Sequence, residues 1–310
     1  MTQTFINTDS ERADAMPRPV GALGQRVNWP YAIGVAVVHL LALLALLPWL
    51  FSWTGVVLVF LGNYIFCSTG IGAGYHRLLT HKSFQCSKRF EHCLALLGVC
   101  SLQESPLRWV ATHRAHHRHA DDQPDPHSPL VTFFWGHMGW LLTENTAFGH
   151  IATYEKYVRD LLRDPFYRWL ERYGYWVYVA HAAAFFVIGF AVGWLWDGDA
   201  MAGLQFGLSV LVWGVFVRTV YTWHITWGVN SIAHLWGYRN YETGENSRNN
   251  WLIGLATNGE GWHNNHHHDQ RSAAHGFHRW WEVDVTYLTI LIFERLGLAW
   301  NIKRNPAVRF

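Results

Sequence analysis

The sequence predicts an all-α integral membrane protein: four transmembrane helices in two hairpins, carrying a cytosolic helical cap. Three observations predict it. Only 15% of the 310 residues are charged and 50% are hydrophobic, against about 25% charged in an ordinary soluble domain. Four long apolar runs, each near the about 20 residues that cross a bilayer as a helix, occur as two close pairs. Nineteen Trp residues suit the aromatic belts at membrane interfaces.

The first hairpin pairs residues 31–47 with 54–73, separated only by Pro48 to Trp53. The second pairs 175–195 with 202–219 across a loop that holds Asp197 and Asp199 and no basic residue. All 24 Lys and Arg lie outside the two hairpin loops. By the positive-inside rule both termini and the segments 74–174 and 220–310 are cytoplasmic. The expected organisation is a cytosolic N-terminal arm, 1–28, and one membrane domain, 29–310. The arm is polar and lacks the apolar core of a signal peptide. Ser87 to Leu102 is apolar at helical spacing but too short and too charged at its start to span, so it reads as an interfacial helix, with Phe133–Leu142 a second. Val285–Leu298 reads as a docked amphipathic helix or as part of the cytosolic cap. Cys67, Cys86, Cys93 and Cys100 form no CxxC pair and read as small buried hydrophobes in a reducing compartment. No nucleic-acid partner is expected.

Twenty histidines demand a chemical explanation. They cluster as His76-Arg-Leu-Leu-Thr-His81, His113-Arg-Ala-His116-His117 and His263-Asn-Asn-His266-His267, with Asn230-Ser-Ile-Ala-His234 where the fourth membrane helix should emerge. Residues at i, i+3 and i+4 share one helix face. Thus His113, His116 and His117 can aim at one point, as can His263, His266 and His267, and Asn230 shares a face with His234. His76 and His81 stand about 140° apart on an ideal helix. They need a helix end or distortion between them, or they serve two metals. Imidazole nitrogen suits Zn, Cu, Fe and Ni, and the joint pattern predicts a metal site. Glu104, Asp121, Asp122, Asp125, Glu260 and Asp269 lie near the clusters, either orienting ligand imidazoles through the far ring nitrogen or solvating loops. His39 and His181 lie alone in the apolar runs and read as packing residues.

At these residues the chain resembles the membrane fatty acyl desaturases, in their stearoyl-CoA desaturase-like branch. The boxes HRLLTH, HRAHH and HNNHH match in type, order and separation, as do Asn230…His234, Asp125-Pro126-His127, Gly139-Trp140-Leu141-Leu142 and Trp280-Trp281-Glu282-Val283-Asp284. The likeness runs from about Tyr31 to Leu298, and HRLLTH is closest in style to bacterial and cyanobacterial members. It implies two irons held by His76, His81, His113, His116, His117, His234, His263, His266 and His267, with Asn230 reaching one of them through water. His119, His127 and His268 fall outside that set and read as hydrogen-bonding or loop residues. It also implies O₂ as co-substrate, a cis double bond at Δ9, and a membrane site on the cytoplasmic side of a bacterial inner membrane. Phe60 and Tyr64 would stand near the closed end of an acyl tunnel, or simply pack their helix. Gln103 and Trp109 would stand near the site, and Trp109 equally suits an interfacial anchor. Zinc would satisfy the ligands but has no redox chemistry.

One part of the family pattern is missing. Animal acyl-CoA members carry an Arg two residues before the second box and an Arg-Lys pair after Gly-Trp-Leu-Leu, which bind the CoA headgroup. Here those places read Ala111, then Thr143, Glu144 and Asn145. This favours an acyl chain on a membrane glycerolipid. An acyl carrier protein thioester, or CoA bound through other cations such as Arg108, stays open. Electrons are expected from a separate ferredoxin, rubredoxin or cytochrome b5-like donor, drawn by a basic cytoplasmic face. Two rivals remain: a hydroxylase or ketolase of the same histidine-rich type, and a membrane metal-binding or transport protein. The second fits poorly, because transporters place polar ligands near the bilayer midplane.

Overall fold

The computed structural model describes residues 16–22, 24 and 26–309. Most of the expected arm, 1–28, lies outside the described residues. Four helices are long and apolar enough to cross a membrane: α1 (Trp29–Leu46), α2 (Trp53–Thr80), and, further along the chain, Pro165–Asp197 and Ala200–Leu235. Between α2 and the second hairpin lie α3 (Lys88–Val99), α4 (Pro106–His119) and α5 (Ile151–Leu162). The second hairpin is then α6 (Pro165–Asp197) and α7 (Ala200–Leu235). The cap closes with α8 (Trp251–Ala256), α9 (His263–His268) and α10 (Val285–Arg295). A two-residue strand β1 (Gln85–Cys86) pairs antiparallel with β2 (Ala299–Trp300) and ties the chain's end to the first cap segment.

Local chemistry sets the helix starts. Ser52, Ser87, Ser105, Asp164 and Asp199 each accept a backbone N–H of the first turn, satisfying donors that a helix leaves free. Pro occupies the opening turn of α1, α4 and α6, where its missing N–H costs nothing. α6 ends at Gly198 with φ +67°, a left-handed stop that glycine adopts without strain.

The membrane helices turn apolar side chains outward. Leu40, Ile188 and Leu195 are exposed, and only 6% of the apolar window of α1 and 17% of that of α6 is buried. Such a surface belongs in lipid. Within the second hairpin, Gly189 and Gly193 of α6 face Gly203 and Gly207 of α7. A Cβ on Gly189 would lie 3.0 Å from the Gly207 Cα, and one on Gly193 3.1 Å from the Gly203 Cα. Small residues four apart on both partners allow this close backbone approach, which helices in lipid use for van der Waals packing.

Two helices run well past the expected spans. The expected 54–73 lies within Trp53–Thr80, and 202–219 within Ala200–Leu235. At 1.5 Å per residue a helix of 36 residues exceeds the about 30 Å hydrocarbon core. The boundary expected at 74 and 220 is therefore not a break in the chain, because the membrane helices continue into the cap. The interfacial helix expected over Ser87–Leu102 is α3, which buries Leu94, Ala95, Gly98 and Val99 against α2. The segment Phe133–Leu142 forms a wide turn, Trp135–Gly139, followed by Trp140–Leu142. Arg218, fully buried in α7, donates to the Cys100 carbonyl (2.8 Å) at the end of α3 and lies over the Phe66 ring.

Candidate metal centre

The extensions of α2 and α7 deliver ligand side chains. Over Asn63–Thr80 the α2 backbone adopts the wide i→i+5 pattern, and His81 N donates to the His76 carbonyl at 3.1 Å. A turn of that width brings residues five apart onto one side. It resolves the spacing of the first box: His76 and His81 meet in one group, their rings 5.0 Å apart.

All nine boxed histidines converge. His76, His81, His113, His117 and His266 form one group, and His116, His234, His263 and His267 a second. Within each group one ring nitrogen per residue lies within 4.8 Å of all the others. His76 and His266 bring their Nε2 atoms to 3.0 Å, His117 and His266 to 2.9 Å, and His113 and His117 to 3.0 Å. In the second group His234 and His263 approach to 3.0 Å, and His263 and His267 to 3.1 Å. α4 contributes to both groups, because His113 and His117 face one and His116 the other.

Carboxylates fix the ring orientations. His234 Nδ1–H donates to Asp121 at 2.8 Å and His116 Nδ1–H to Asp125 at 2.9 Å. Glu260 takes the His76 Nδ1–H and also pairs with Arg77 at 2.9 Å. A neutral imidazole that donates from Nδ1 presents a bare lone pair at Nε2. Bare lone pairs facing each other at 3.0 Å repel, and the buried Nε2 atoms of His81 and His116 have no hydrogen-bond partner among the described residues. A bound cation at each group satisfies both facts, and imidazole donors suit a transition metal. Burial, followed by repulsion from neighbouring histidines, holds His81, His113, His117, His263, His266 and His267 well below the ordinary histidine pKa. Their neutral, metal-binding form is therefore favoured.

An apolar cavity of about 360 Å³ abuts the first group, between α1, α4, α6 and α7. Gln103, Trp109, His113 and Asn230 line it. Gln103 donates to Thr226 (3.0 Å) and Trp109 stacks on His113. Phe60 and Tyr64 do not line this cavity. Phe60 is 60% exposed beside Tyr221, and Tyr64 hydrogen-bonds Thr289 at 2.9 Å.

Among the residues outside the boxes, His127 lines the cavity with its ring 4.5 Å from that of His116, His268 stacks on Tyr241, and His119 ends α4. Asp122 is exposed, Asp269 accepts from Asn305, and Glu104 accepts from Tyr31 at the cavity wall. Two contributors escaped sequence reasoning. His275 packs on His266 and accepts from Arg77. Glu245 stands 3.6 Å from His267. Each is an isolated residue with no partner at helical spacing, so the sequence carries no signal for it. His39, expected to pack, also contacts His224 at 3.0 Å. His181 packs against Phe66 and Phe185, as expected of a packing residue.

Fold and site together define a membrane protein that carries two histidine groups able to hold metal beside an apolar cavity. Comparison with known proteins gives the family within that class: the fatty acid desaturase model matches residues 47–288. The sn-2 palmitoyl-lipid 9-desaturase of Nostoc sp. (strain 36) is 41% identical over 282 residues, covering 91% of this chain and 92% of the relative. The sn-1 stearoyl-lipid 9-desaturase of Anabaena variabilis is 40% identical over 278 residues, 90% and 94% of the two chains. The acyl-CoA C20 Delta5-desaturase of Anemone leveillei is 36% identical over 314 residues, 98% and 93% of the two. The chain belongs to the fatty acid desaturase family, and its substrate is a fatty acyl chain.

Proposed function

We propose that the chain is an O₂-dependent acyl-lipid desaturase that places a cis double bond, at position 9, in a saturated acyl chain. The nine imidazoles hold two irons, with Asn230 reaching one through water. Residues 29–310 act as one membrane domain with its termini and site on the cytoplasmic side of a bacterial inner membrane. The observation that carries this reading is the shared wall: His113 and Asn230 belong both to the ligand constellation and to the lining of the apolar cavity. A chain in that cavity has its methylenes beside the metal groups.

Iron, when bound, supplies the redox chemistry that a C–H bond of an unactivated methylene requires and no side chain can. The balance is two hydrogens from the acyl chain, two electrons, two protons and O₂, giving one double bond and two waters. The chain's own residues do the rest. Asp121, Asp125 and Glu260 hold three imidazoles in the tautomer that leaves Nε2 free. Trp109 and Val99 form an apolar wall that excludes water, and the Gln103–Thr226 bond joins α7 to the segment after α3.

A lipid-borne substrate is supported on three counts. Ala111, where a cation would be needed for CoA, is fully buried. Glu144 is exposed and negative and would repel phosphate. Arg108 is committed to Tyr31 (3.2 Å) and Glu171 (3.6 Å). Gly34 of α1 and Gly174 of α6 also line the cavity, and a Cβ on Gly34 would meet nothing within 4 Å, which leaves room for a chain arriving from the bilayer. The relatives divide on this point, two being named for acyl-lipids and one for acyl-CoA. The test presents stearoyl-CoA, stearoyl-acyl carrier protein and a distearoyl glycerolipid in parallel to the purified protein with a chemical reductant. Loss of two hydrogens from the glycerolipid alone is expected. Turnover of CoA alone, or gain of one oxygen, overturns it.

A further inference from the structure

Three histidines outside the metal groups join end to end. His39 of α1 directs Nδ1 at the Val35 carbonyl (2.7 Å) and Nε2 at the Nε2 of His224 in α7 (3.0 Å). The His224 Nδ1 meets the Nε2 of His137 at 3.0 Å. His137 Nδ1 meets Ser231 Oγ at 2.9 Å, and that hydroxyl donates to the Trp227 carbonyl at 2.8 Å. The row thus begins and ends on a backbone carbonyl, which can only accept. Its five hydrogen bonds need five hydrogens, whereas three neutral imidazoles and one hydroxyl carry four. Working inward from the two carbonyls places the deficit at His224. His39 and His137 each keep their hydrogen on Nδ1, so both turn a bare Nε2 toward His224. Only a doubly protonated His224 gives a hydrogen to each.

The geometry suits a proton rather than a metal. The His224 ring centre stands 5.3 Å from those of both His39 and His137. His113 and His117, with the same 3.0 Å between nitrogens, have ring centres 4.5 Å apart. Rings set farther apart at one nitrogen separation aim nitrogen at nitrogen along a line, as a hydrogen bond requires, instead of converging on a third point. Phe133, Trp223 and Trp227 face the row. Among the described residues no carboxylate, Lys, Arg or Tyr bonds or pairs with any of its three histidines. His224 is exposed. At 1.5 Å per residue it lies about 36 Å along α7 from Ala200, beyond the about 30 Å hydrocarbon core, where water can exchange the proton. Burial, and then His224, push the His137 pKa down to about 4, so the row takes one proton and not two.

We infer that His39, His224 and His137 form a binding site for one proton, and that this proton clasps α1 to α7 and the cap and so regulates admission of the acyl chain. α1 is otherwise loosely held, with 6% of its apolar window buried, and its Pro30, Tyr31, Gly34 and Val35 line the cavity. The clasp grips α1 one turn further on, at the residue whose Nδ1–H bonds the Val35 carbonyl. Hydrogen bonds from a charged imidazolium are about twice as strong as neutral ones, so the proton tightens the tether. The tether is complete below the His224 pKa and loses a hydrogen bond as pH rises through it, which frees the α1 wall. The admission step rests on the desaturase reading, and the proton site does not.

Solid-state NMR reads the proton directly. The full chain carries isotope-labelled histidine and is loaded with zinc, so that the boxed imidazoles are occupied. It is titrated in nanodiscs of neutral lipid from about pH 8 to about pH 5. One imidazolium is expected in the row, at His224, bonded to neutral His39 and His137, with a midpoint above the ordinary value of about 6.5. His39→Phe removes one acceptor and lowers that midpoint by about one pH unit or more. With iron-loaded protein and a chemical reductant, wild-type kcat/KM for an acyl-lipid falls by a few-fold as pH drops through the midpoint, with kcat unchanged. His224→Phe stays near the high-pH level throughout. A midpoint below about 6.5, a second protonated ring in the row, or an unchanged midpoint in His39→Phe would overturn the proton site. A His224→Phe profile that matches wild type would overturn the clasp on α1. Failure of the desaturase reading is seen separately, as wild type making no unsaturated product at any pH; it removes the admission step, while the NMR still decides the proton site.

Discussion

Asp121 is the most exacting place to perturb the second histidine group. One carboxylate oxygen accepts from His234 Nδ1–H at 2.8 Å and from the Asn246 backbone N–H at 2.9 Å, and the other accepts from Ser128 at 2.6 Å. Burial pushes its pKa up, but His234, Ser128 and the Asn246 backbone N–H together more than offset this and leave it below the ordinary carboxylate range. Asp121 also has φ +57°, a left-handed conformation that Asn tolerates and Ala does not. Asp121→Asn therefore keeps the backbone and the volume while removing the charge that fixes the His234 tautomer. Loss of such a partner typically weakens metal binding 10- to 100-fold, about 1.4–2.7 kcal/mol. The assay dialyses iron-loaded protein against graded chelator and counts the metal retained, with thermal melts of the metal-free protein alongside. One metal per chain is expected to leave at about 10- to 100-fold lower chelator than in wild type, while the five-histidine group keeps its own. Equal loss from both groups, or no loss from either, refutes the idea that Asp121 acts through His234.

Three further outcomes are expected. A Cβ on Gly193 would lie 2.8 Å from the Phe206 Cβ and 2.9 Å from the Ala202 carbonyl. Gly193→Val should therefore separate the second hairpin and cost about 1–3 kcal/mol or more, read as earlier heat-induced loss of the monodisperse peak in detergent. The six depressed histidines bind fewer protons folded than unfolded, so metal-free protein should lose stability as pH falls from about 6.5. His116 opposes them, because burial lowers its pKa but Asp125, with Asp121 and Glu245, raises it by more. Asp121 and Asp125, both held below the usual carboxylate value, lose their contribution only below about pH 4. Melting curves between pH 7 and 5 isolate the histidine effect, and a rising melting temperature across that range would contradict it. Finally, Phe60→Ala should leave product chain length unchanged, because Phe60 faces outward. Val99→Phe, on the cavity wall, should shorten the accepted chain, as read by gas chromatography of the products.

The four candidate spans were legible because lipid imposes one rule on every residue of a span, so long apolar runs sufficed. The ligand boxes were legible for a similar reason: i, i+3, i+4 spacing is a helical address. What escaped was set by contacts distant in sequence. The i→i+5 turns that unite His76 with His81 depend on how α2 packs against α3 and α10. The glycine seam between α6 and α7 consists of residues that look unremarkable one at a time. Glu245 and His275 reach the histidine groups only because the cap folds back on itself. Arg218 has no carboxylate partner among the described residues, and its role as a cap on the Cys100 carbonyl appears only once α3 and α7 are adjacent.

The central claim is that nine imidazoles in two groups hold two irons beside an acyl cavity. An anomalous difference map at the iron edge, from protein expressed in iron-supplemented cells, addresses it directly. Two peaks are expected, one among His76, His81, His113, His117 and His266 and the other among His116, His234, His263 and His267. A single peak, or a metal ligated mainly by carboxylates elsewhere in the cap, would contradict it.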